Sequence, residues 1–270
     1  MAGTIVQVGP KVTRFKVGDE VYARPNKDRI GTFAEFMAIQ ESDVALKPMT
    51  LNMNEAASIP LVGLTAWQTL VERAELKAGQ KILIHAGSGG VGTFAIQLAK
   101  YLGATVATTT GTSNVDWVRK LGADVVIDYK TTAFEDVLHD YDVVLDTQGG
   151  QTLDKSLTIL KEGGKLISIA GAPDPQFAKD IHGNWMIKLA SLLLSFSIRR
   201  KAKRRGITYS FLFMKANGAQ LRSIAELIDN RIIHPVVDQV FPFESTKEAL
   251  EYAGQRRAKG KVVINMIKAT

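Results

Sequence analysis

Gly87, Gly89 and Gly92 stand at the spacing G-x-G-x-x-G, after the apolar run 82–86 and before the helix-forming run 93–102. That arrangement is suited to one task. The first glycine makes a tight turn, the second lets backbone approach a pyrophosphate, and the third lets helix and strand pack closely. The helix that opens there aims its free N–H groups and positive dipole end at an anion. Gly87, Ser88, Gly89, Gly90, Val91 and Gly92 are therefore the candidate phosphate cradle of a dinucleotide. No comparable pattern exists for a metal. The chain has no cysteine, and its histidines (His85, His139, His182, His234) are dispersed without ligand spacing. No zinc site of thiolate and imidazole donors can be assembled from them, and no metal is expected.

The elements around the cradle must place it at a strand end. From Gln80 onward, short apolar runs alternate with single helical segments. Strands are expected at 82–86, 105–110, 125–128, 143–146, 166–170 and 209–213, with helices between them. Such βαβ repetition implies an α/β fold with a doubly wound parallel sheet, whose ligands lie at the carboxyl ends of the strands. Thr147 and Ala170 follow or close two of those strands. Residues 3–48 read instead as β structure, with strands at 4–8 and 31–39 and, within 15–22, a turn at Gly18-Asp19 followed by a strand; Asn54 is the expected N-cap of the helix that follows, with Glu55 in its first turn. Gly163-Gly164 is expected to stop a helix over 153–160, and 218–229 and 246–253 are helical. The chain ends in extended runs at 235–242 and 260–265.

The 270 residues are 46% hydrophobic and 23% charged, an ordinary globular balance. The net charge of +7 is local: six cations lie between Arg199 and Arg205, and the remaining basic residues outnumber the 27 acidic ones by one. A general nucleic-acid surface is not implied. The cluster follows a largely apolar segment, 185–198, too short to span a bilayer at ~20 residues. One reading is a buried or amphipathic helix with a solvated basic end. The other is peripheral membrane contact through 185–205. No secretory signal precedes the first strand, and a cytoplasmic location is expected.

The run HAGSGGVGTFAIQLAKYLGA resembles the cofactor loop of the zinc-independent medium-chain reductases, the quinone oxidoreductase group. The blocks VGPKVTRFKVGDEVYA, AASIPLVGLTAWQTL, LGADVVIDY, LKEGGKLISIAG and HPVVDQVFPF agree with that group in order. The insertion before Tyr209 is similar to the branch containing the reticulon-interacting mitochondrial oxidoreductase. The resemblance implies a Rossmann domain over 61–235, with a basic helical insertion at 172–206. It also implies a partial GroES-like β domain over 1–60, to which 236–270 returns. Family members carry several dozen residues before the block that begins here at Ala2. The start therefore reads as internal to a longer β domain, or as an incomplete domain with an exposed sheet edge.

The implied activity is hydride transfer from NADPH to a small-molecule acceptor, a quinone or enone, in a homodimer. The alternative is a catalytically weak nucleotide-binding or interaction protein. NADP(H) is favoured because the second strand ends in Thr108–Ser113 with no acid to hold a ribose 2′-OH. By resemblance, Ser113 and Tyr129 lie near the 2′-phosphate, Thr65 near the nicotinamide, and Thr147 and Ala170 at ribose edges. Phe213 is implied as a cofactor or substrate wall, and Lys261 as a cation on the phosphate side. A lysine of some relatives is Asn114 here, and Arg119 and Lys130 read first as solvated surface charges. Tyr22 reads as a structural tyrosine before a proton donor, and no catalytic residue is assigned.

Overall fold

In the computed structural model, residues 1–27, 31–255 and 257–266 are described. The chain begins with a three-stranded antiparallel sheet, β1 (Ala2–Thr4), β2 (Glu20–Ala23) and β3 (Val44–Leu46), in that order. Val21, Ala23 and Val44 bury against Met1, Ile5, Phe15 and Ile39. The expected strand over 4–8 leaves the ladder early, because Val6 and Val8 face solvent and have nothing to pack on. The expected strand over 31–39 does not form. It pairs with no strand among the described residues, and Phe33 and Phe36 are exposed, so neither a ladder nor a packed face stabilises it.

Helix α1 (Met53–Ser58) is capped by Asn52, not Asn54. Asn52 Oδ1 accepts from Glu55 N at 2.9 Å, and the Glu55 carboxylate accepts from Asn52 N at 3.0 Å. That reciprocal box needs the acid three residues after the cap, which only Asn52 satisfies. Pro60 opens α2 (Pro60–Trp67), where its missing N–H is harmless, and a π-helical stretch, Gln68–Arg73, continues it.

The alternating segment follows as β4 (Lys81–Ile84), α3 (Gly90–Tyr101), β5 (Thr105–Thr110), α4 (Val115–Lys120), β6 (Val125–Asp128), α5 (Phe134–Val137), β7 (Tyr141–Asp146), α6 (Gly150–Ile159) and β8 (Leu160–Ser168). Then come α7 (Pro175–Asp180), α8 (Trp185–Leu194), α9 (Phe196–Arg204) and β9 (Thr208–Phe211). The sheet is parallel throughout, in the order β6-β5-β4-β7-β8-β9. Chain order therefore reverses between β4 and β7, the switch point where such sheets open a crevice. Ile82, Leu83, Ile84, Val144, Leu145 and Leu166 are buried, which is why these strands read as continuous apolar runs and not as alternation.

Two expectations change here. Gly163-Gly164 does not stop α6, which ends at Ile159; the pair lies inside β8. Register jumps there, from Tyr141 opposite Leu160 to Val143 opposite Lys165, so the glycines absorb a bulge. The helix expected over 185–198 is two helices. Buried Ser195 divides them, its hydroxyl donating to Ser191 O at 2.7 Å.

The remaining elements are α10 (Gly218–Asp229), β10 (Val237–Pro242), α11 (Thr246–Gly254) and β11 (Lys261–Asn265), with β10 and β11 parallel. The chain divides into two compact units. The first holds Met1–Leu64, Gly89–Phe94 and the chain from Met214; the second holds Thr65–Ser88 and Ala95–Phe213. Residues 214–235, placed with the Rossmann segment by sequence, group with the first unit. The reason is α10, whose Leu221 O accepts the Tyr22 hydroxyl at 2.6 Å and whose Gly218 abuts Val44 O.

Candidate functional site

In the second unit, β4 ends in a strained turn. Ala86 adopts a φ of 54°, rare for a residue with a Cβ, and its N–H donates to Thr109 Oγ1 at 3.2 Å. Gly87 N donates to Thr109 O at 2.9 Å, which holds the turn against β5. There is no room for a side chain: a Cβ on Gly87 would lie 2.2 Å from Thr108 Oγ1. That oxygen is fixed, because it donates to Ile84 O at 2.6 Å. Helix α3 then opens at Gly90, and its first N–H groups have no acceptor within the helix.

His85 lies beneath this turn. Its ring nitrogens sit 3.1 Å from Thr109 Oγ1 and 2.9 Å from Ser156 Oγ, and its ring meets Phe134 edge-on. Burial holds its pKa down to about 4, against the opposing pull of Asp146 and Glu135. The native state therefore binds fewer protons than the unfolded chain between the two pKa values. The resulting stability is intact above pH ~6.5 and is lost as pH falls toward 4, by about 3 kcal/mol in all. Denaturant midpoints of wild type and His85→Gln across that range check this: the His85→Gln curve is expected to be the flatter one.

The ends of β7 and β8 are tied by residues that sequence reasoning did not single out. The buried Asp146 carboxylate accepts the Ser168 hydroxyl at 2.6 Å, Gln148 N at 3.1 Å and Gly149 N at 3.0 Å. Ser168 Oγ in turn accepts from Ala170 N at 3.1 Å and Gly171 N at 2.7 Å. These bonds orient the two loops that carry Thr147 and Ala170. Thr147 Oγ1 donates to His85 O at 3.1 Å, which brings it beside the glycine turn. Thr65 is buried in α2, and its carbonyl accepts the Thr69 hydroxyl at 2.7 Å.

Further along the sheet, Ser113 is exposed in a 3-10 turn, Thr112–Asn114, after β5. Tyr129 is largely exposed, and its hydroxyl and Lys130 Cε would lie 3.4 and 3.8 Å from a Cβ on Gly111. The structure thus brings Gly111, Tyr129 and Lys130 together. Asn114 is engaged by its own helix, accepting from Trp117 Nε1 at 3.0 Å. Asp116 points to Arg119 at 3.7 Å. An acid missed by sequence, Asp128, does reach this end of the sheet. A hydrogen bond from the Thr112 side chain, then one from Lys130 N, holds its carboxyl below the usual range.

Phe213 is partly exposed after β9. Phe177 of α7 meets it edge-on at 5.7 Å and meets Phe211 at 5.5 Å. Buried Asp174 fixes that cluster, accepting from Phe177 N at 3.0 Å and Phe211 N at 3.3 Å.

In the first unit, Gly89 pairs with Gly260 in a parallel bridge. A Cβ on Gly90 would lie 2.7 Å from Lys261 Cδ and 3.2 Å from Val62 Cγ1. Lys261 therefore packs along the start of α3, and burial lowers its pKa. Ser58, Thr93 and His234 line the same small cleft. Tyr22 lies away from it, fully buried; burial raises its pKa, and its hydroxyl is spent on Leu221 O. It packs the β domain as a structural tyrosine. Among the described residues, no three His, Cys, Asp or Glu side chains stand placed to hold a metal ion.

The family pattern for an alcohol dehydrogenase GroES-like domain matches residues 1–49, and that for a zinc-binding dehydrogenase matches residues 121–264. The NAD(P)H oxidoreductase RTN4IP1, mitochondrial, of Danio rerio is 34% identical over 282 residues, spanning 99% of this chain and 71% of that protein. The chain belongs to the medium-chain dehydrogenase/reductase superfamily. Within that superfamily, the NADPH-dependent alkenal/one oxidoreductase, chloroplastic, of Arabidopsis thaliana is 36% identical, spanning 98% of this chain and 62% of its own. The quinone oxidoreductase structure from Coxiella burnetii superposes with a TM-score of 0.85 at 28% identity, covering 98% of this chain and 78% of that one. The expected cytoplasmic location does not stand. The zebrafish, human and Arthroderma benhamiae relatives are all named mitochondrial. A secretory signal bears on export and not on delivery to an organelle.

Proposed function

We propose that this chain is an NAD(P)H-dependent oxidoreductase that prefers NADPH and reduces quinones or α,β-unsaturated carbonyls. The carrying observation is the glycine turn at the carboxyl end of β4, beside the switch point, with no room for a Cβ at Gly87 or Gly90. Relatives named as alkenal/one oxidoreductase and 2-methylene-furan-3-one reductase support the acceptor class.

A reduced nicotinamide, when bound, supplies a hydride, and the protein supplies orientation and exclusion of water. In this reading Gly87 holds the turn against β5, and Ser88 continues the cradle. The N–H groups of Gly90, Val91 and Gly92 face the pyrophosphate. Lys261 adds a cation beside Gly90 whose partial burial strengthens its field. Ser113 and Tyr129 receive the 2′-phosphate, with Lys130 as the neighbouring cation. Thr147 and Ala170, held by the Asp146–Ser168 bond, edge the riboses. Thr65 sits by the nicotinamide, and Phe213 forms an apolar wall braced by Phe177. An enone accepts hydride at its β-carbon and a proton at its α-carbon; a quinone accepts two electrons and two protons. Both spread the developing negative charge over oxygen, so metal assistance is not required.

Steady-state assays with NADPH and NADH against quinones and enones test this reading. NADPH is expected to give the higher kcat/KM, and equal efficiency with the two cofactors would overturn the preference. In Ser113→Asp, a carboxylate near the 2′-phosphate costs about 1 kcal/mol even in water. NADPH efficiency should fall about tenfold in that variant, while NADH efficiency changes little.

A further inference from the structure

Helices α8 and α9 of the second unit form an outward surface that none of the assigned roles uses. In α8 only Ser191 is buried. Trp185, Met186, Leu189 and Leu193 fall on the opposite face by helical period and are 72, 60, 47 and 67% exposed. This reverses the usual surface helix, whose apolar stripe faces the core. In α9, Ile198 and Ala202 are buried, so Phe196, Arg200, Lys203 and Arg204 share the outward side. No Asp or Glu occurs between Ile181 and Ala225. Lys201 pairs with Asp154 at 2.9 Å. Among the described residues, no carboxylate pairs with Arg199, Arg200, Lys203, Arg204 or Arg205.

We propose that α8 and α9 together are a docking element for an anionic membrane surface. The apolar face of α8 would seat at the headgroup boundary, and Arg200, Lys203 and Arg204 would meet lipid phosphates. Charge selects this occupant over a second copy of the chain. A self-complementary interface on this face would bring two acid-free cationic helices together. Length selects lying over crossing: ten residues make α8 about 15 Å long, half a hydrocarbon core. The inference does not depend on the cofactor reading, since none of these residues belongs to the glycine turn or its supports.

Vesicle flotation of the full chain tests it, with phosphatidylcholine alone and with phosphatidylcholine mixed with phosphatidylglycerol. Binding is expected on the mixed vesicles and should weaken as salt rises. The triple variant Arg200→Gln, Lys203→Gln, Arg204→Gln should lose on the order of 100-fold in partitioning. Leu189→Ser with Leu193→Ser should lose about tenfold or more, with the melting temperature and solution mass of wild type. Failure to bind mixed vesicles, or equal binding to both vesicle types, would overturn the proposal. So would a dimer in light scattering that the two leucine changes dissolve, because the face would then be covered by a second copy.

Discussion

Gly87→Ala is expected to destabilise the protein by about 4 kcal/mol, combining overpacking with loss of a buried hydrogen bond. The new Cβ would stand 2.2 Å from Thr108 Oγ1 and 3.1 Å from Ile96 Cδ1. Neither neighbour yields easily. Thr108 is β-branched and buried in β5, and moving its hydroxyl breaks the 2.6 Å bond to Ile84 O, leaving that buried hydroxyl without its acceptor. Denaturant unfolding measures the loss. Two comparisons separate this clash from a general cost of adding a methyl group. Gly254→Ala, where a Cβ meets nothing within 4 Å, should be nearly neutral. Adding Thr108→Ala to Gly87→Ala should recover part of the loss, because it removes the atoms nearest the new Cβ. A Gly87→Ala protein as stable as wild type would contradict the close packing of turn and strand.

Gly260→Ala is expected to cost about as much, for a different reason. Gly260 has a φ of 77°, where a Cβ costs about 1–2 kcal/mol, and that Cβ would lie 2.2 Å from the Val236 carbonyl oxygen. The obstacle is backbone, and the same oxygen accepts Lys261 N at 2.9 Å at the start of β11. Trimming Val236 to alanine cannot relieve it. With overpacking included, the loss is about 4 kcal/mol. The lost bridge to Gly89 and the displaced Lys261 should also weaken NADPH binding, read by quenching or enhancement of cofactor fluorescence. Wild-type stability with wild-type affinity would show that β11 does not support the glycine turn.

These two glycines illustrate what could be read from sequence. Gly87 belongs to a motif with a known spacing, so its neighbourhood was legible. The apolar runs of β4 and β7 were legible too, because strands buried on both faces leave hydrophobic letters running together. Gly260 carried no such signal, since its constraint comes from Val236, far away in the chain. The Asp146–Ser168 bond was hidden for the same reason: each residue looks like an ordinary polar strand end. Asp128 was not legible as a neighbour of this site because it closes β6, one strand beyond the β5 end where a ribose-binding acid is expected. The Asn52–Glu55 box was present in the letters, since Asn52 stands three residues before Glu55. The strand expected over 31–39 failed on tertiary grounds, because local β propensity supplies no partner to pair with. The break between α8 and α9 falls at Ser195, whose hydroxyl and N–H both donate to Ser191 O.

The most direct measurement follows the hydride. Purified protein is incubated with NADPH deuterated at the reactive C4 position and with an α,β-unsaturated ketone, and the product is examined by mass spectrometry. An enone is preferred to a quinone because hydrogen delivered to the β-carbon does not exchange with water, whereas hydroquinone protons do. The account predicts a saturated ketone carrying one deuterium at the β-carbon, formed more slowly with deuterated NADH. Unchanged enone in the presence of bound cofactor, or saturated product without deuterium, would contradict it.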